Sequence, residues 1–239
     1  MCVLKNRVKE FGADAEKLTR VAPRNCSILG HHDEAQRRLL VQIIQLCKNR
    51  WHHKLHKLNV SNVGVVTNVS LRQRYEQAYQ ATQSAAQTWN YGAANMAYRW
   101  SSQDDTETSV VPVCVSEFEP GVLRQGEKHL FYHTEESELK AVLESEEEPA
   151  FRRDASFGMT GIILDELSHY GLGVETVGHD TRYMFVVRAI TVVDTLIYDP
   201  DPEREQAGRT YKKANLSQVL PELLISYKVT IPQNNYDFG

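Results

Sequence analysis

The sequence predicts an α+β fold, and three observations carry that reading. First, Leu223, Ile225, Tyr227, Val229 and Ile231 alternate with Ser226, Lys228 and Thr230, the period of two that a strand with one buried face requires. Second, Leu39, Leu40, Ile43, Ile44 and Cys47 recur at three- and four-residue steps, the period of an amphipathic helix. Third, 239 residues with 41% hydrophobic and 24% charged side chains, 13 Gly and 8 Pro, match ordinary globular usage. Such a chain buries roughly 70% or more of its unfolded surface, so disorder and fibrous repeats are excluded.

In chain order, residues 1–33 are mixed and end in Gly30-His31-His32-Asp33, a loop feeding a helix N-cap. A helix follows from Glu34 to about Arg50. Gly64-Val65-Val66 reads as a short strand, and Asn68-Val69-Ser70 leads into a second helix through about Ala86, with Leu71, Tyr75, Ala78, Tyr79 and Thr82 on one face. Residues 88–127, rich in Ser, Asp, Thr, Gly and Pro, read as a long loop or insertion holding a strand at Val110 to Val115. Beyond it come a strand at Leu130–His133, a helix at Glu136–Leu143, a strand at Met159–Leu164, a helical turn at Glu166–Tyr170, a strand at Tyr183–Val193 and the alternating strand that closes the succession. Sheet predominates and helices are inserted, which is the α+β pattern.

Composition also narrows the function classes. The longest apolar runs, Met184 to Val187 and Ala189 to Val193, are far too short to span a bilayer, and the charged opening segment reads as neither signal nor anchor. The expectation is a soluble protein with no membrane partner. Cys2, Cys26, Cys47 and Cys114 are scattered with no CxxC pair, which points to reduced, buried thiols in a cytoplasmic setting. The net charge of −4 argues against nucleic acid as a partner. Charge is uneven, however: residues 1–100 hold 15 Lys/Arg against 6 Asp/Glu, and residues 101–239 hold 12 against 25. The plain account is that the two halves dock or are solvated faces; the sharper one is an acidic partner for the basic half. His52 and His56 stand at the i, i+4 spacing that chelates zinc, but no carboxylate follows in HExxH order and no third ligand is near, so a solvated basic helix end is the better reading and no metal is expected.

Four stretches then fall in a familiar order. They are Val66-Thr67-Asn68-Val69-Ser70-Leu71 with Arg74-Tyr75; Phe131-Tyr132-His133-Thr134; Phe157-Gly158-Met159-Thr160-Gly161-Ile162-Ile163-Leu164 with Ser168-His169-Tyr170; and Ser217-Gln218-Val219-Leu220-Pro221-Glu222-Leu223-Leu224-Ile225. This succession resembles the catalytic domain of the poly(ADP-ribose) polymerase and diphtheria-toxin-like ADP-ribosyltransferases, over about residues 60–231. The resemblance implies a split antiparallel sheet behind an NAD cleft in residues 61–239, with residues 1–60 as an N-terminal helical region packed on it. It implies NAD as co-substrate and a protein as acceptor of ADP-ribose. Some bacterial effectors with divergent cores of this fold modify host proteins, ubiquitin included; for such a role the chain acts in a host cytosol.

Residue by residue, the resemblance gives His133 a hydrogen bond to the adenosine ribose and gives the backbone of residue 134 a clamp on the carboxamide. Residue 134 is Thr where the family has Gly. Gly161 and Ile163 belong to the strand under the nicotinamide, with Ile163 where the family often places a Tyr; Ser168 bonds the carboxamide and Tyr170 stacks on the ring. Taken alone, His133 is a strand-end core histidine, Ser168 a helix cap and Tyr170 a packed aromatic. The polymerising members carry a Glu eight residues before the Gln of the last motif, and counting back from Gln218 reaches Thr210. Polymer elongation is therefore not expected. Two readings follow: a mono-ADP-ribosyltransferase whose acid comes from elsewhere, Glu205 of Glu203-Arg204-Glu205 first and Glu222 second, or an inactive fold kept as a protein-interaction module. Asp199 to Gln206 also reads as a plain solvated turn.

Overall fold

Apolar residues spaced for one helix face and apolar residues alternating along strands meet here in three layers. The computed structural model describes residues 25–29, 34–51, 57–88, 123–155, 160–166, 181–198 and 208–230. In chain order these form β1 (Cys26–Ile28), α1 (Glu34–Asn49), β2 (Lys57–Val66), α2 (Val69–Thr88), β3 (Glu127–Thr134), α3 (Glu136–Glu144), β4 (Ile162–Asp165), β5 (Arg182–Ile190), β6 (Thr195–Tyr198), β7 (Thr210–Lys213), a 3-10 turn (Leu216–Gln218) and β8 (Val219–Thr230). The strands build one eight-stranded sheet in the order β1-β2-β8-β5-β3-β4-β7-β6. Every pairing is antiparallel. The fold class is therefore α+β, as the sequence predicts.

One junction in the sheet is thin. β3 pairs with β5 over the whole run from Glu127↔Ile190 to Thr134↔Tyr183, but meets β4 at the single pair Phe131↔Asp165. A five-stranded part and the three-stranded part β4-β7-β6 thus join at one residue pair.

Both faces of the five-stranded part are covered. α1 lays Leu39, Leu40, Ile43 and Cys47 over Phe131, Met184, Val186, Leu223 and Ile225. On the other face α3 and Phe151 cover Leu130, Tyr132, Phe185 and Leu224. Each large apolar side chain buried this way stabilises the fold by about 1.5–3 kcal/mol. α2 packs at the sheet end, where Leu71 and Tyr75 meet Ile190 and Leu220. Asn68 fixes where α2 begins: its Oδ1 accepts from Leu71 N at 3.1 Å, and its Nδ2 donates to Leu143 O and Ser145 O at the end of α3.

Several elements differ from the sequence reading. β2 extends back to Lys57 because Asn59 and Asn62, which break its apolar pattern, donate across the ladder to Thr230 Oγ1 and Ser226 Oγ. β8 starts at Val219 and carries Pro221 through a bulge, with Pro221 opposite Val187 and Leu223 opposite Val186, so that Glu222 is the extra residue. The short strands β1, β6 and β7 have no counterpart in the reading, and both β1 and the start of β2 lie within residues 1–60, so that stretch supplies strands as well as α1. Glu166 lies in a bend directly after β4. The expected loop at 30–33, the strand at Val110 to Val115, His52 and His56 all lie outside the described residues.

Candidate functional site

Strand pairing decides which of the singled-out residues share a surface. Side chains two apart on a strand, and directly opposite across a ladder, point to the same side of a sheet. Phe131 is opposite Asp165, and Asp165 is opposite Thr210. His133 is two residues beyond Phe131, and Ile163 two before Asp165. His133, Phe131, Ile163, Asp165 and Thr210 therefore stand on one face, spanning the thin junction between β3, β4 and β7. By strand geometry His133 and Asp165 are roughly 8 Å apart at Cα.

His133 is half-buried at the end of β3. Its Nδ1 lies 3.1 Å from Tyr227 Oη, and Tyr227 in turn packs edge-on against Trp51, so the ring is oriented by aromatic neighbours. Thr134 uses its hydroxyl locally, donating to Glu138 Oε2 at 2.9 Å in the first turn of α3. Gly161 pairs with Asp154 through two backbone hydrogen bonds, and a Cβ there would collide with the Lys213 carbonyl. The glycine is thus required by close approach of β4 to the backbone after β7. Ile163 is half-buried, opposite Lys212.

Asp165 sits among these residues with an unusual environment. It is 6% exposed, and Thr210 Oγ1 donates to its Oδ1 at 2.9 Å. Burial lifts its carboxyl to about 6, the Thr210 hydroxyl only partly opposing. Its neighbour Glu166 points to the other face, where burial is outweighed by the Arg209 backbone N–H, Lys128 and the Tyr211 hydroxyl, and its carboxyl falls below the ordinary range.

Glu222, the second acid candidate, is committed to a charge network. Its Oε1 lies 2.7 Å from Arg188 Nη2 and its Oε2 lies 2.8 Å from His129 Nε2. Burial alone would raise its carboxyl, but the bonds from His129 and Arg188 hold it below the usual range. Glu127 extends the same network: it accepts from Tyr75 Oη and from Arg124, whose guanidinium also binds Glu76 and lies 3.7 Å over the Tyr79 ring. Glu205, Ser168 and Tyr170 lie outside the described residues.

Asp165 and its partner Thr210 were not singled out together by sequence. The available signal was an acid closing the apolar run Gly161-Ile162-Ile163-Leu164. Two buried lysines of β7 were also missed: Lys212 Nζ pairs with Asp154 Oδ1 at 2.8 Å, while Lys213 Nζ donates to Val193 O, Thr195 Oγ1 and Gln218 Oε1. Three acceptors around one ammonium make Lys213 a clamp for the 3-10 turn and the β5–β6 connection.

Among the described residues no group of three or more His, Cys, Asp or Glu is placed to hold a metal ion. Among them, too, no helix is long and apolar enough to cross a membrane. Cys26 and Cys47 are thiols that burial pushes up to about 12, outside the range of an activated nucleophile. No protein-family model and no curated protein matches the chain.

Proposed function

We propose that this chain is a mono-ADP-ribosyltransferase of the ADP-ribosyltransferase fold, transferring ADP-ribose from NAD to a protein acceptor. The observation that carries the reading is the adjacency of the resembling stretches. β3, β4 and β8 belong to one sheet, β7 lies beside β4, and His133, Ile163 and Thr210 share one face. In sequence these residues span the separation from 133 to 210, so their convergence is a property of the fold.

The residues present suit NAD on chemical grounds. Cleavage leaves an oxocarbenium-like ribose, and the nicotinamide ring of NAD carries a positive charge, so the site needs a flat apolar contact, an oriented hydrogen-bonding group and negative charge. Ile163 offers the first, His133 held by Tyr227 the second, and Asp165 the third. Among the described residues no cation is hydrogen-bonded to that carboxylate. Thr134, whose hydroxyl is turned toward α3, leaves its backbone as the group that resemblance assigns to the carboxamide.

Purified protein mixed with NAD is expected to release nicotinamide, and an acceptor mixture is expected to gain the mass of single ADP-ribose units. His133→Ala is expected to weaken NAD binding about tenfold, the loss of one oriented hydrogen bond. Protein that neither binds nor consumes NAD contradicts the reading. A second reading, an inactive interaction module, is favoured by Thr210, which puts a hydroxyl where polymerising members carry a Glu; NAD binding without nicotinamide release selects it.

A further inference from the structure

We propose that Asp165 supplies, from β4, the carboxylate that Thr210 leaves missing on β7, acting at the ribose carbon from which nicotinamide departs. The inference rests on the NAD reading above. Its geometric basis is the ladder: residues 165 and 210 are direct partners, and their side chains are joined by the hydrogen bond from Thr210 Oγ1 to Asp165 Oδ1. Moving a carboxylate from one member of such a pair to the other displaces it by about 5 Å while keeping it on the same face. Glu222, by contrast, has both oxygens engaged by Arg188 and His129, three strands away on β8.

The environment of Asp165 differs from that of the other buried acids described, Glu127 and Glu222, and from that of its half-buried neighbour Glu166. Glu127 has Arg124 and Arg188, Glu166 has Lys128, and Glu222 has Arg188 and His129. Asp165 has a hydroxyl. A buried carboxylate without a cation is costly to ionise, so a positive charge arriving beside it is strongly favoured. On the same face by strand register stand His129 and His133 from β3 and Lys212 from β7, whose Nζ is taken by Asp154; Arg50, just after α1, donates through Nη1 to His129 O.

In the step assigned to it, the bond between ribose C1′ and the nicotinamide nitrogen breaks, and its electron pair goes to the ring, which leaves neutral. The acceptor nucleophile bonds to C1′, and its proton passes to the Asp165 carboxylate. With water in place of the acceptor, the same step hydrolyses NAD.

The test compares the wild-type chain, Asp165→Asn and the double variant Asp165→Asn/Thr210→Glu, measuring NAD affinity by calorimetry and nicotinamide release at saturating NAD. Asp165→Asn is expected to bind NAD about tenfold more weakly than wild type, from loss of the charge facing the nicotinamide, and at saturating NAD to release nicotinamide at least ~100-fold more slowly, the usual contribution of a positioned acid–base group. Returning a carboxylate to β7 in the double variant is expected to recover about tenfold. Release by Asp165→Asn at the wild-type rate overturns the assignment and leaves the NAD reading intact. Wild-type protein that neither binds nor consumes NAD removes both. Should the Asn variant fail to fold, the wild-type pH profile decides: release falling below pH of about 6 supports Asp165, and a flat profile overturns it.

Discussion

Two parts of one sheet face treat buried carboxylates in opposite ways. Around β5 and β8, Glu127 and Glu222 are interleaved with Arg188, Arg124 and His129. At the junction of β3, β4 and β7, Asp165 is just as buried but is met by the Thr210 hydroxyl. The first arrangement is closed: each of its carboxylates already has a cation beside it, Glu127 having Arg124 and Arg188 and Glu222 having Arg188. The second is open, because its charge is most comfortable when something positive is brought to it. The contrast separates acids that hold the fold together from one suited to chemistry, although both lie in the same solvent-poor environment.

The contrast is broken most forcefully at Arg188. Arg188→Met leaves Glu127 and Glu222 buried without the cation they share, and is expected to lower unfolding free energy by about 3–5 kcal/mol in urea denaturation at pH 7. A loss well under 1 kcal/mol would mean the network does not brace the sheet.

Asp165→Asn is expected to act with the opposite sign. The folded-state carboxyl is raised to about 6, above its ordinary value in the unfolded chain, so the folded protein holds the proton more tightly between pH of about 4 and 6. Wild-type stability attributable to this group is therefore present at low pH and is lost as pH rises through that window. Relative to wild type, Asp165→Asn gains about 3 kcal/mol at pH 8, shrinking toward zero below pH of about 4, in parallel denaturation curves. Equal pH slopes in the two proteins would show that Asp165 is compensated after all. The lowered carboxyls of Glu166 and Glu222 contribute in the reverse sense, adding stability as pH rises, and cancel in this difference.

Local pattern made part of this legible. α1 follows from the spacing of Leu39, Leu40, Ile43 and Cys47, and β8 from the alternation of Leu223, Ile225, Tyr227 and Val229, which the structure buries on the α1 side. Ser226, on the other side of that alternation, is nonetheless buried, because the sheet is covered on both faces. β7 escaped because Thr210-Tyr211-Lys212-Lys213 looks like a solvated segment, and the partners that bury its lysines, Asp154, Val193 and Gln218, come from three other places in the chain. The hydrogen bond from Thr210 to Asp165 links residues 45 apart through a ladder that no periodicity reveals. A count along the last motif reaches Thr210; only strand pairing shows that the carboxylate of Asp165 lies opposite.

On the reading proposed above, NAD lies on the face shared by His133, Ile163 and Asp165. Methyl-labelling the isoleucines and recording intermolecular nuclear Overhauser effects with saturating NAD is expected to give contacts between the nicotinamide ring protons and the Ile163 δ-methyl; bound NAD whose nicotinamide gives no contact to Ile163 places the ligand elsewhere and rejects the proposed site.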